Sequence, residues 1–62
     1  MSEDFEAEVR ASYEEDARSK VVRDLEALMA KLGYSPISPI RIQVSHRSNE
    51  CIATARCRAL KS

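Results

Sequence analysis

Three side chains have the types that covalent or metal chemistry uses: one histidine and two cysteines. Cys51 and Cys57 are six positions apart, which is about 20 Å in an extended strand, whereas a disulfide needs Cα atoms within roughly 7 Å. Structural zinc sites use closely spaced ligand pairs and four ligands, and His46 brings the set only to three. We therefore expect no metal and two buried, free cysteines that act as small apolar residues, with a disulfide across a dimer axis as the alternative.

Catalysis has little support in the sequence. A catalytic His46 requires a nucleophile and an orienting acid within reach, but its neighbours Ser45, Ser48 and Glu50 are ordinary turn residues. The chain has one glycine, so it contains no Gly-rich phosphate loop. These features predict a non-enzymatic protein with no cofactor and no small-molecule substrate.

The arginines of the C-terminal half are the best candidates for a binding function. In the hairpin predicted below, they share one face with two polar residues, opposite the aliphatic side chains. Arg41 and Arg56 are predicted to lie directly opposite each other, which is unfavourable unless an anion compensates. The candidate binding residues are Arg41, Gln43, Arg47, Thr54, Arg56 and Arg58.

The distribution of charge limits the kind of anion. Residues 1–16 hold seven acids and one arginine, a net charge of −6, and residues 17–62 carry a net charge of +6. A compensating anion would be an acid of the same protein, supplied by a dimer mate, or an acidic patch on a foreign protein, or a nucleic-acid phosphate. The alternative is that the arginines are solvent-exposed and bind no anion. The zero net charge, the acidic N-terminal arm and the lack of aromatic residues on the face disfavour nucleic acid. We expect an interaction or regulatory protein that binds a macromolecular partner as a homodimer, with nucleic-acid binding as the alternative.

The elements that position these residues are predicted to form an α+β fold, one long N-terminal helix followed by a two-stranded antiparallel hairpin, in a single domain. Residues 1–33 contain no proline and no internal glycine. With Ser2 as N-cap and acids in the first turn, they favour a helix that ends at Gly33. Two helices that bend near residues 12–19 are the alternative. The apolar stripe of the helix consists of Val21, Val22, Leu25, Leu28, Met29 and Leu32.

Residues 34–39 are predicted to form a Pro-rich connector and residues 40–60 a β-hairpin. The segments on both sides of Ser48–Asn49 alternate between apolar and polar residues, as half-buried strands do. A two-residue turn sets the large aliphatic residues of the first strand opposite small residues of the second. A slip of one residue would set them opposite arginine instead, so the pattern fixes the register.

The lengths of these elements predict a partner chain. A helix of about 31 residues spans roughly 46 Å, whereas the hairpin strands span about 23–33 Å. The N-terminal part of the helix then has nothing in its own chain to pack against, and a lone hairpin has two open edges. A homodimer with a shared four-stranded sheet meets both needs, with Phe5, Val9 and Tyr13 at its interface.

The N-terminus gives the only indication of a cellular compartment. It is acidic, unlike a signal or transit peptide, and no apolar run reaches the 18 or so residues that a membrane span needs. We therefore expect a cytoplasmic protein without a membrane segment.

Overall fold

The computed structural model, which describes residues 1–62, contains four strands and one helix. In chain order these are β1 (Ser2–Ala11), α1 (Glu14–Lys31), β2 (Tyr34–Pro36), β3 (Arg41–Arg47) and β4 (Glu50–Lys61). β4 is the central strand: β1 pairs antiparallel with one side of it, and β2 and β3 pair antiparallel with the other. The helix packs on one face of the sheet, mainly on β1 and β4 and only marginally on β3.

The predicted long N-terminal helix is wrong, and so is the alternative of two helices, because residues 2–11 form strand β1 and the helix begins at Glu14. Charged and apolar residues alternate strictly from Asp4 to Ala11, which is the period of a strand. The four-residue spacing of Phe5 and Val9 suggested one helical turn. Four is also an even number, so the same two residues share a face in a strand.

The predicted two-stranded hairpin that completes a four-stranded sheet by dimerisation is wrong, because one chain forms a four-stranded sheet by itself. β1 lies along β4 over its whole length, with Ser2 opposite Leu60 at one end, so the N-terminal segment finds its partner in its own chain. Phe5 packs against Tyr34 of β2 in an edge-to-face contact, with 4.9 Å between the ring centroids. All four strands of the sheet come from one protomer. The homodimer remains a prediction, but the argument from an N-terminal helix with nothing to pack against no longer supports it.

The C-terminal half of the predicted helix is confirmed. Gly33 has a φ of +79°, the left-handed conformation that ends many helices and that glycine adopts without strain. The buried side of α1 follows a four-residue spacing and packs on alanines and cysteines of β4, while Leu28 and Leu32 of the predicted stripe are exposed. The buried helix residues are Ala17, Val21, Leu25 and Met29. The helix does not combine the length and the apolar character that crossing a bilayer requires.

The predicted hairpin register is confirmed for β3 and β4. Arg47 lies opposite Glu50 across a two-residue turn, and Arg41 lies opposite Arg56 at the far end. Ser48 in the turn has a φ of 51°, the positive value that two-residue hairpin turns require at their first position. The aliphatic residues of β3 therefore lie opposite alanines, which are small enough for the helix to pack closely against β4.

The Pro-rich connector belongs to the sheet edge. β2 and β3 line the same side of β4, with a bulge between them at residues 38–40. The Arg58 N–H donates to Ser38 Oγ at 2.9 Å, so a side chain replaces a backbone carbonyl, and Pro39 has no N–H to offer. Three edge residues thus oppose Cys57 alone before the ladder resumes. Such a bulge bends the edge and redirects its side chains.

Candidate functional site

The sheet face that the helix leaves uncovered, here the open face, carries nearly all the charge of the strands. It presents the even-numbered side chains of β1 and β4 and the odd-numbered side chains of β3, because the alternate residues are buried or half-buried beneath the helix. The structure places all six predicted binding residues on this face. They are Arg41, Gln43, Arg47, Thr54, Arg56 and Arg58.

Acids of β1 lie beside the arginines of β4 on the open face. Glu6 Oε1 is 3.5 Å from Arg56 Nη2, and Asp4 Oδ1 is 3.7 Å from Arg58 Nε. In both cases the two residues lie directly opposite each other in the β1–β4 ladder. Acids supplied by a dimer mate were one of the alternatives that the sequence left open for neutralising these arginines. In the structure they come from the same chain.

The two arginines of β3 form no such ion pair, although Glu50 lies directly opposite Arg47. Neither Arg41 nor Arg47 has a carboxylate within ion-pairing distance. Arg41 lies directly opposite Arg56, whose own acid is on the far side of β4. The open face therefore runs from the acidic strand β1, through the neutralised arginines of β4, to β3, where Arg41 has no acid opposite it.

An open cavity of about 490 Å³ lies on this face beside the bulge. A second cavity of about 290 Å³ adjoins it on the hairpin side, and Arg41 and Arg56 line both. Most of the lining side chains are charged or polar, unlike the apolar walls typical of small-molecule sites. The larger cavity is lined by Asp4, Phe5, Glu6, Ser38, Pro39, Arg41, Arg56, Cys57 and Arg58.

At the opposite end of β4, His46 bridges two other elements. Its Nδ1 is 3.4 Å from Cys51 Sγ, and its Nε2 is 3.3 Å from Glu14 Oε1 at the start of α1. A thiol, an imidazole and a carboxylate in series is the order that nucleophilic catalysis uses. However, the Cys51 side chain is only 7% exposed, and neither cavity reaches it. The contacts join β3, β4 and α1 at this end of the sheet.

Cys57 lies on the same face of β4 without an imidazole nearby. Its thiol donates to the Ser38 carbonyl oxygen at 3.4 Å, which holds the bulge against β4. Both cysteines are free and buried, as the sequence predicts. No three side chains of the types that bind metals converge on one point.

The residues predicted for the dimer interface do not form one surface. Phe5 is buried in the core of its own protomer, Val9 is half-buried on the helix side of β1, and Tyr13 is 72% exposed in the turn before α1. Phe5 and Val9 therefore have a structural role within the protomer, and Tyr13 alone is free to contact another molecule.

One phenol has an altered acidity. Desolvation raises the pKa of Tyr34, and the carboxylate of Glu3, which also accepts a hydrogen bond from the phenol, raises this pKa further. Lys61 Nζ lies 5.8 Å from the centre of the same ring. Desolvation and the neighbouring Glu3 thus favour the protonated, uncharged form of the Tyr34 phenol.

The site contains residues that sequence patterns did not reveal. The predicted helix includes Asp4 and Glu6, although their strict alternation with apolar residues is typical of one face of a strand. Nothing in the sequence indicates that Ser38 and Pro39 border a cavity, since that depends on a bulge against β4.

No protein-family model, curated protein or solved structure matches this chain. What the protein does is therefore inferred from the open face itself.

Proposed function

We propose that this protein is a small non-enzymatic binding module that holds an acidic surface of another protein on the open face of its sheet. One observation carries the proposal: Arg41 lies between two polar cavities and opposite Arg56, with no acid of its own chain beside it. An acidic partner group would remove the repulsion between the two arginines and gain charge-assisted hydrogen bonds.

The same geometry favours a protein over a nucleic acid. Arg56 and Arg58 already have acid partners at 3.5 and 3.7 Å, and the acids of β1 would repel a continuous phosphate backbone. The open face also has no aromatic side chain on which bases would stack. Nucleic-acid binding through Arg41 and Arg47 is the second candidate, because these two arginines are unpaired.

A titration with two probes separates the candidates. A fluorescent oligoglutamate peptide and a DNA duplex are titrated at about 50 and 200 mM salt, and binding is followed by fluorescence anisotropy. The variants are Arg41→Gln and, as a matched control, Arg23→Gln on the helix, which is also exposed and unpaired.

We expect oligoglutamate to bind the parent protein, and Arg41→Gln to weaken binding about tenfold, which corresponds to roughly 1.4 kcal/mol. Arg23→Gln should leave the affinity unchanged. Duplex DNA that binds more tightly than oligoglutamate would favour the second candidate. Absence of binding to either probe at the lower salt concentration would overturn the proposal.

A further inference from the structure

The outer edge of β3 offers unpaired backbone groups for an additional strand. Opposite residues in an antiparallel ladder alternate between hydrogen-bonded and non-hydrogen-bonded pairs. The two-residue turn makes Arg47 and Glu50 a hydrogen-bonded pair, so the N–H and C=O groups of Ile42, Val44 and His46 point away from β4. By the same alternation, the backbone groups of the odd-numbered residues of β4 should point toward β1. They do so at Lys61, whose N–H donates to the carbonyl oxygen of Met1.

The side chains of β3 are unsatisfied on both faces. On the helix side, Ile42 and Val44 are only half-buried, because α1 packs on β1 and β4. On the open face, Arg41 has no acid opposite it, and Arg47, which lies opposite Glu50, forms no ion pair. An added strand would therefore meet aliphatic side chains on one of its faces and arginines on the other.

We infer that the β3 edge binds an extended segment of a partner protein in which acidic and apolar residues alternate, and that this segment extends the sheet. The inference rests on the proposed function and names the partner's chemistry. β1 itself shows how such a segment fits this sheet: its acids lie beside Arg56 and Arg58, and its apolar residues face the helix. Backbone hydrogen bonds supply affinity in this mode of recognition, and alternate side chains supply specificity.

Charge and direction disfavour a second copy as the occupant. Two β3 edges paired about Val44 would set Arg41 opposite Arg47, and two β1 edges would bring acids together. The β1 edge of one copy could also pair with the β3 edge of a second copy whose helix lies on the same side of the sheet. β1 and β3 are both antiparallel to β4 and so run parallel to each other, which means that the second copy would be related to the first by a translation. That contact repeats by translation and never closes.

The experiment compares two peptides of equal composition. One alternates glutamate and valine, and the other carries the glutamates and the valines in two blocks, so that only the first can present acids on one face of a strand. The protein is made by chemical synthesis, so that a single backbone N–H can be methylated. N-methyl Val44 blocks the β3 edge, and N-methyl Glu8 blocks the outward-facing edge of β1 as the matched control. Circular dichroism establishes that each form is folded.

We expect the alternating peptide to bind at least tenfold more tightly than the block peptide. N-methyl Val44 should abolish this advantage, and N-methyl Glu8 should preserve it. In the unmodified protein, the peptide should slow amide hydrogen exchange at Ile42, Val44 and His46 at least tenfold, without an effect at Glu8. This last measurement requires no variant, so it holds if N-methyl Val44 fails to fold.

Three results would overturn the inference. Equal affinity of the two peptides, with oligoglutamate binding still dependent on Arg41, would refute strand addition and leave the proposed function intact. Slower amide hydrogen exchange at Glu8 and not at Val44 would show that the peptide binds the β1 edge and not the β3 edge. A mass above that of a single 7.0 kDa chain by light scattering, with exchange at Val44 slowed before peptide is added, would assign the edge to a second copy.

Discussion

β1 and β3 flank the same central strand, but only β1 is matched to it on both faces. On the open face, the acids of β1 lie beside arginines of β4, and on the other face its apolar residues pack beneath the helix. β3 sets an arginine opposite an arginine and has no fully buried residue, whereas β1 contributes the buried Phe5 beside its half-buried residues. The difference indicates that β1 is a structural part of the sheet, whereas β3 keeps interaction energy that a partner can use.

The largest test of this difference compares one apolar residue from each strand. Phe5→Ala should lower the free energy of unfolding by about 3–5 kcal/mol, because a buried aromatic side chain is lost from the core. Ile42→Ala should cost about 1–2 kcal/mol, because that side chain is already half exposed. Urea unfolding followed by circular dichroism measures both values. An equal cost would show that β3 is as structural as β1.

Charge substitutions give a smaller effect of opposite sign on the two strands. Glu6→Gln should destabilise the protein by about 0.5–1 kcal/mol, because it leaves Arg41 and Arg56 opposite each other without an acid. Arg41→Gln should be neutral or stabilise it by up to about 0.5 kcal/mol, because it removes the repulsion. Unfolding at low salt measures both substitutions.

Glu26→Gln, at an exposed and unpaired helix position, is the control for the loss of a charge. The cost of Glu6→Gln should also fall in the Arg41→Gln background, since Arg56 then has no like-charged neighbour across the strand. If Arg41→Gln destabilises the protein as much as Glu6→Gln does, the two strands do not differ electrostatically.

The smallest effect tests the phenol of Tyr34 in β2, whose ring packs on Phe5 and whose hydroxyl donates to the carboxylate of Glu3 in β1. Because the pKa of Tyr34 is raised from its ordinary value of 10.0, the folded state favours the protonated phenol. The resulting stabilisation is complete below about pH 10 and is lost as the pH rises through the folded-state pKa. Tyr34→Phe should therefore weaken the alkaline decrease in melting temperature. Tyr13→Phe, at an exposed position, should leave this decrease unchanged.

The sequence predicted local features of the fold better than their long-range partners. The turn at Ser48–Asn49, the register of the hairpin and the end of the helix at Gly33 each depend on residues close together in the chain, and all three are confirmed. β1 differs from the predicted helix because the lack of proline and glycine, Ser2 as N-cap and the nearby acids are local signals, whereas pairing with β4 decides the structure. Propensity is a weak guide where tertiary contacts compete with it.

In the candidate site, too, the features that depend on nearby residues were predicted and those that depend on distant strands were not. Its arginines were placed on one face correctly, because the hairpin alone determines that face. The acids beside them, and the cavity at Ser38 and Pro39, depend on strands distant in sequence and on a bulge. A strict alternation of charged and apolar residues was present in residues 4–11. This alternation alone does not decide between the two structures, because the four-residue spacing of Phe5 and Val9 fits both a helix and a strand.

The central position of β4 has a consequence for how the molecule forms. β4 is synthesised after every strand that it pairs with, and its contacts with β1 join residues 40 to 58 positions apart, from Ala11–Cys51 to Ser2–Leu60. During translation, the helix can form from local contacts, but β1, β2 and β3 have no ladder partner before β4 is made. A fold dominated by such distant contacts is expected to form slowly for its size. Until then the alternating segment of β1 has no strand of its own chain to pair with, and an unpaired strand of this kind is open to pairing with neighbouring chains.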